Sequence, residues 1–81
     1  MTQSRSKLYW RCRRGMLELD LLLQRFLGHG YGSMDEQGRR VFEEKVLEFS
    51  DQDLHDYLFG TKQPDDKEVA RVIESIRSAQ N

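Results

Sequence analysis

The string Arg14-Gly15-Met16-Leu17-Glu18 holds the residue types most suited to recognition chemistry in this chain. A cation and a carboxylate stand four positions apart, with a glycine directly after the cation. Such a glycine can take a backbone conformation closed to other residues and lets a partner's backbone come close. Other candidates are weaker. Cys12, His29 and His55 are the possible soft metal ligands, and no two share a ligand spacing such as C-x-x-C or H-x-x-x-H. Cys12 has no second cysteine to pair with, so a disulfide within the chain is excluded. Gly28-His29-Gly30-Tyr31-Gly32 lacks the following Lys-Ser/Thr of a phosphate loop and reads as a mobile connection. The carboxylates Asp35, Glu36, Glu43, Glu44, Glu48, Asp51, Asp53 and Asp56 read as helix caps and a solvated face. Paired acid–base catalysis needs a cleft that raises one carboxylate's pKa, and a small bundle rarely has one. No catalytic and no metal-ligating set is expected.

Charge singles out the same region. The first fourteen residues carry Arg5, Lys7, Arg11, Arg13 and Arg14 and no acid; the rest is −6, giving −1 overall. A basic head on an acidic body implies that the head meets something the body does not. Tyr9 and Trp10 among those cations would also suit RNA, although the acidic body and a pI near 6.1 work against a polyanion.

The elements that must position these residues are short helices. The chain has 81 residues, 37% hydrophobic and 33% charged, with mean hydropathy −0.79, enough for one thin core. Apolar spacing is helical throughout. The first segment, 6–14, turns Leu8 and Cys12 inward and sets Lys7, Arg11 and Arg14 as a basic stripe. Gly15 ends it with a positive φ. The second, 16–27, buries Met16, Leu19, Leu22, Leu23 and Phe26 and points Glu18 outward as a charged pair with Arg14. Asp20 lies beside that core face, either bracing the first helix, extending an interface, or pairing with Arg11 or Arg13. The third is expected to open with a capping box at Ser33–Glu36 and to bury Val41, Phe42, Val46 and Phe49. The fourth opens at Ser50, buries Leu54, Tyr57 and Leu58, and closes at Gly60. The fifth follows Pro64 with a capping box at Asp65–Glu68 and a stripe of Val69, Val72, Ile73 and Ile76. The expected fold is all-α, a compact bundle of five short helices in one domain over 1–81, with 1–5 and 78–81 frayed. No stretch reaches the ~20 apolar residues of a membrane span, and the start is no apolar leader, so the cytoplasm is expected.

The segment Trp10 to Asp20, WRCRRGMLELD, resembles the signature of the succinate dehydrogenase assembly factor family, whose core is R-G-x-x-E. Asp51 to Leu58, DQDLHDYL, is similar to that family's D-x-D-L-x-x-W-L, and Lys62-Gln63-Pro64 fits its later Gly/Lys-Pro stretch. Tyr57 stands where the family often has tryptophan, and 28–32 is richer in glycine. The resemblance implies a five-helix bundle in a bacterial chaperone that is not itself an enzyme. Its partner would be the flavoprotein subunit of succinate dehydrogenase, and for some members also that of fumarate reductase. It would promote covalent attachment of FAD to a histidine of that subunit, holding no tightly bound cofactor itself. The positions implied in partner binding are Arg14, Gly15 and Glu18, with Arg11, Asp20 and Lys7 beside them. Some bacterial relatives carry an antitoxin name, so an antitoxin-type interaction module is one alternative; an RNA-binding regulator working through the basic head is another.

Overall fold

Three side-chain caps show where the chain commits to helix. In the computed structural model, which describes residues 5–80 (Arg5 as backbone only), helices run over α1 Arg5–Cys12, α2 Leu17–His29, α3 Glu36–Glu44, α4 Asp51–Phe59 and α5 Lys67–Ser78. Short 3-10 turns follow α2 at Tyr31–Ser33 and α3 at Val46–Glu48. The described residues hold no strand. This is the all-α bundle of five short helices that the spacing predicts.

Ser50 caps α4 by accepting from the Asp53 N–H, and Gly60 ends it in the left-handed region at φ 81°. The other two caps lie away from the expected position. Asp35, not Ser33, caps α3 by accepting from Gly38 N–H; Ser33 belongs to the preceding 3-10 turn. Asp66, not Asp65, caps α5 and accepts from both Glu68 and Val69 N–H. In both places several good capping residues sit close together, and the one whose carboxylate meets the orphan N–H groups decides the start. The third helix also stops sooner than expected, at Glu44, and Val46 and Leu47 enter the core from the 3-10 turn.

The core is assembled around α5. Val69, Val72, Ile73 and Ile76 are all buried, and α5 packs against α2, α3 and α4. Leu19, Leu23, Phe26 and Leu27 come from α2, Val41 and Phe42 from α3, and Leu54 and Leu58 from α4. Met16, Leu22, Phe49 and Tyr57, expected inside, are only half-buried at its edge. α1 lies along α2 and contributes Leu8 and Cys12. None of these helices is long enough to be stable alone in water, so burial of these stripes holds them.

The glycine-rich stretch is folded into the end of α2 and the 3-10 turn after it. Gly28 and His29 continue α2, and Tyr31 is buried against Phe26 and Phe42, with ring centroids 6.2 and 5.6 Å away. Gly30 is required there: a Cβ would sit 2.8 Å from the Phe26 ring. At the far end, Gln80 Nε2 donates to the carbonyls of Leu22 and Ile76 at 3.0 and 2.9 Å. Of the segments expected to fray, residues 1–4 and Asn81 lie outside the described residues.

Candidate functional site

The candidate site is a turn between two helices, fastened from below. α1 ends at Cys12, so Arg13 and Arg14 belong to the connection and not to the helix. Gly15 takes φ 80°, the left-handed conformation expected of it, and a Cβ built there meets nothing within 4 Å. Met16 is the N-cap residue of α2, extended, with no side chain to bind the first N–H groups. Leu17 and Glu18 follow in the first turn, both exposed; Leu17 is 72% accessible. Glu18 makes no ion pair or hydrogen bond among the described residues. The turn therefore presents a bare left-handed backbone, an exposed leucine and a carboxylate close to the positive end of α2.

Arg14 lies beneath this surface. Its side chain is only 13% exposed and points into the bundle. Nε donates to Asp51 Oδ1 at 2.8 Å, Nη1 to the Leu47 carbonyl at 2.8 Å, and Nη2 to the Phe49 carbonyl. A guanidinium presents donors in a fixed fork, which suits the diverging carbonyls of a 3-10 turn better than an ammonium would. The outward pair of Arg14 with Glu18 is thus not formed: Arg14 pairs with Asp51 instead. Arg11 is committed similarly, with Nη2 2.9 Å from both the Glu43 carbonyl and the Glu48 carboxylate. The expected basic stripe of Lys7, Arg11 and Arg14 does not exist as a stripe. Lys7 is exposed on α1, while the two arginines bind the ends of α3 and its 3-10 turn. Both turn inward because carbonyls at helix ends lack partners within their own helix.

Asp20 closes the turn from the other side. Its Oδ1 accepts from the Arg14 backbone N–H at 2.5 Å, and it pairs with neither Arg11 nor Arg13. Arg13 stays exposed, with its guanidinium carbon 5.7 Å from the centroid of the Trp10 ring. Trp10 is 64% exposed and meets Tyr9 edge to face at 5.7 Å. The structure thus gathers Arg14, Gly15, Glu18 and Asp20 at one turn, with Arg11 one helical turn away, and divides them into exposed and fastened groups.

Cys12 is fully buried below the same turn. Burial pushes its thiol up to about 12, against the opposing pull of Arg11 and Arg14. A thiol so protonated is a poor nucleophile. Glu43 is the carboxylate misread as solvated: it is buried and accepts from the Tyr31 hydroxyl. His29 lies at the other end of α2, at the rim of a cleft of about 540 Å³ that Met34, Gln37, Glu68 and Arg71 help to line. His55 stacks on Phe59 at 4.4 Å. Among the described residues no group of three His, Cys, Asp or Glu is placed to hold a metal ion. No helix of the described residues is long and apolar enough to cross a membrane.

Residues 6–80 match the family described as "Flavinator of succinate dehydrogenase". The chain is 38% identical over 76 residues to the FAD assembly factor SdhE of Legionella pneumophila (strain Paris), covering 94% of each chain. It is 35% identical over 75 residues to the FAD assembly factor SdhE of Pectobacterium atrosepticum, covering 93% of this chain and 84% of that one. With the protein of the same name from Coxiella burnetii it shares 38% identity over 71 residues, 88% of this chain and 85% of the relative. No solved structure matches. On the strength of a match that spans both the Gly15 turn and the Asp51 helix start, the chain belongs to the family of flavinators of succinate dehydrogenase.

Proposed function

We propose that this chain is an assembly chaperone that binds the flavoprotein subunit of succinate dehydrogenase and promotes covalent attachment of FAD to it. The observation that carries the reading is the left-handed turn at Gly15, bare of side chains, set directly before exposed Leu17 and Glu18 in a chain of this family. A backbone with open space above it lets the client approach closely, and Glu18 offers it a carboxylate free to pair across an interface. Arg11, Arg14 and Asp20 belong to the same contact region as its support, and Lys7 and Arg13 border it with positive charge. The client supplies the attacking imidazole, so this chain contributes no catalytic residue and works by holding the client's histidine and flavin in reactive geometry. Holding reactants in place is worth at most about 7–11 kcal/mol. FAD is the group attached to the client, and the flavoprotein subunit of fumarate reductase is a second client of the same chemistry. Work on that client takes place in the bacterial cytoplasm.

The inward commitment of Arg11 and Arg14 supports a protein partner over RNA. A polyanion grip needs cations at the surface, and these two are bound to carbonyls and carboxylates of the chain itself.

The test is reconstitution. Purified flavoprotein subunit lacking covalent flavin is incubated with FAD, with and without this chain, and covalent flavin is read as fluorescence of the denatured subunit in a gel. A fluorescent band that depends on the chain is expected. An equal band without it, or no binding between the two proteins, overturns the reading. Capture of a toxin instead of the flavoprotein would favour the antitoxin alternative.

A further inference from the structure

The two sequence blocks, far apart along the chain, meet in one ion pair. Arg14 stands beside the glycine of the first block, and Asp51 is the first residue of the second, 37 positions later. Their contact at 2.8 Å joins the α1–α2 turn to the start of α4. The Leu47 and Phe49 carbonyls, from the segment leading into α4, complete the cradle around the same guanidinium. Above it, the Arg14 main chain is held by Asp20 at 2.5 Å. Arg14 is thus gripped by its side chain from the α3–α4 connection and by its backbone from α2. Gly15, the next residue, has no side chain with which to hold itself.

We infer that Asp51 is a positioning residue for the docking turn: through Arg14 it fixes the left-handed Gly15 and the direction in which Glu18 leaves the surface. Asp51 does not itself touch the client. The inference rests on the proposed function for its partner and on the geometry alone for its clamp. It assigns Arg14 a task distinct from direct contact, since the side chain is 13% exposed and its Nε and both terminal nitrogens are occupied. It also gives the second block a reason to accompany the first. Asp53, two residues on, serves elsewhere, in a pair with Lys62 at 2.8 Å.

The experiment uses D51A, D51N, E18A and the double variant D51A/E18A in the full chain. Client affinity is measured with the purified flavoprotein subunit, and exchange of the Arg14 amide by NMR on the free protein. Removing the carboxylate is expected to speed Arg14 amide exchange by about tenfold while the amides of Phe42 and Ile76 keep their protection. Affinity for the client is expected to fall by about tenfold in D51A, and D51N, which keeps an acceptor oxygen for Nε, is expected to recover most of it. Glu18 and Asp51 share no contact, so independent roles would make their effects multiply. Under the clamp, E18A costs far less affinity in the D51A background than in the native chain, because Glu18 is already misdirected there. Full multiplication of the two effects, or native affinity in D51A, overturns the inference. If the native chain itself fails to bind the client, the functional reading falls; the Arg14 amide then decides the clamp, and unchanged exchange in D51A overturns it.

Discussion

Tyr31 donates its hydroxyl hydrogen to the carboxylate of Glu43 inside the bundle, where the two residues are 6% and 9% exposed. A buried carboxylate is costly unless its lone pairs are met. Tyr31→Phe keeps the ring among Phe26 and Phe42 and takes away the hydroxyl that donates to Glu43. The expected loss is about 1–3 kcal/mol of unfolding free energy. That is a large share of the roughly 4–12 kcal/mol that a domain of this size holds in total. Urea denaturation followed by far-UV circular dichroism measures it. A midpoint equal to the native one would mean that Glu43 does not need this donor.

Gly15→Ala and Gly15→Arg separate folding from docking. The left-handed backbone at φ 80° costs a residue with a Cβ about 1–2 kcal/mol, while the space around it is open. Both variants should therefore fold, with lowered stability, and Gly15→Asn should lose less because asparagine tolerates this conformation. All three place atoms where the proposed contact brings the client's surface close. Covalent flavin on the client should fall sharply, most of all with arginine. Thermal melts paired with in-gel flavin fluorescence test both halves. An arginine variant with native flavin yield would remove Gly15 from the interface.

Glu18→Ala should leave stability within about 0.5 kcal/mol of native, since Glu18 is exposed and holds nothing in the bundle. Its effect should appear only with the client present, as weaker binding and less covalent flavin. A stability loss equal to that of Tyr31→Phe would show that Glu18 serves the fold.

How far these residues can be read from sequence differs with the range of their contacts. The inward stripe of α5, the Ser50 cap and the left-handed Gly15 all follow from residues within a few positions of each other. Local spacing carries such features fully. Arg14 is legible as part of a motif but not in its direction, because its partners lie 33–37 positions away, in a 3-10 turn that periodicity does not reveal, just after it, and at the start of α4. Helical spacing assigned it to the solvent side of a helix that ends before it. Glu43 was misread for a related reason. Its partner Tyr31 sits in a glycine-rich stretch that reads as a flexible connection, and only the packing of Tyr31 against Phe26 and Phe42 turns it inward. The caps of α3 and α5 moved by one or two residues where capping side chains compete, and sequence does not say which reaches the free N–H groups.

Two exposed ion pairs make stability depend on pH at both extremes. Hydrogen bonds from Lys62 and Lys45 lower the carboxyls of Asp53 and Asp66 below the ordinary 3.8. Each contributes stability that is present above the ordinary value and lost as pH falls through the lowered one. The same bonds raise Lys62 and Lys45 above 10.5, so their share is complete below that value and lost as pH climbs through the raised one. Between these limits the pairs add a flat term, weakened by salt because all four groups face water. Urea midpoints should drop on acidification below about pH 4, and less steeply in Asp53→Asn and Asp66→Asn. An acid slope identical in native and variant chains would assign the acid loss to other carboxylates.

Cys12 offers a direct reading of whether the bundle under the Gly15 turn opens. The thiol is fully buried and held protonated by that burial, up to about 12, so a thiol reagent at mildly alkaline pH meets neither an accessible sulfur nor a thiolate. Modification must wait for opening. If α1 leaves the bundle only when the whole chain unfolds, the labelling rate should follow global stability and rise together in Tyr31→Phe and in urea. If α1 detaches alone, labelling should outpace global unfolding, as for any low-stability segment. The contacts favour the first outcome: Arg11 ties α1 to the Glu43 carbonyl and Glu48, and Leu8 joins Cys12 in the common core. Breaking the ties should convert one behaviour into the other. Arg11→Ala removes both bonds at once, and it is expected to raise the Cys12 labelling rate by more than its effect on the urea midpoint accounts for. Equal shifts in rate and midpoint would show that α1 and the rest of the bundle still unfold as one.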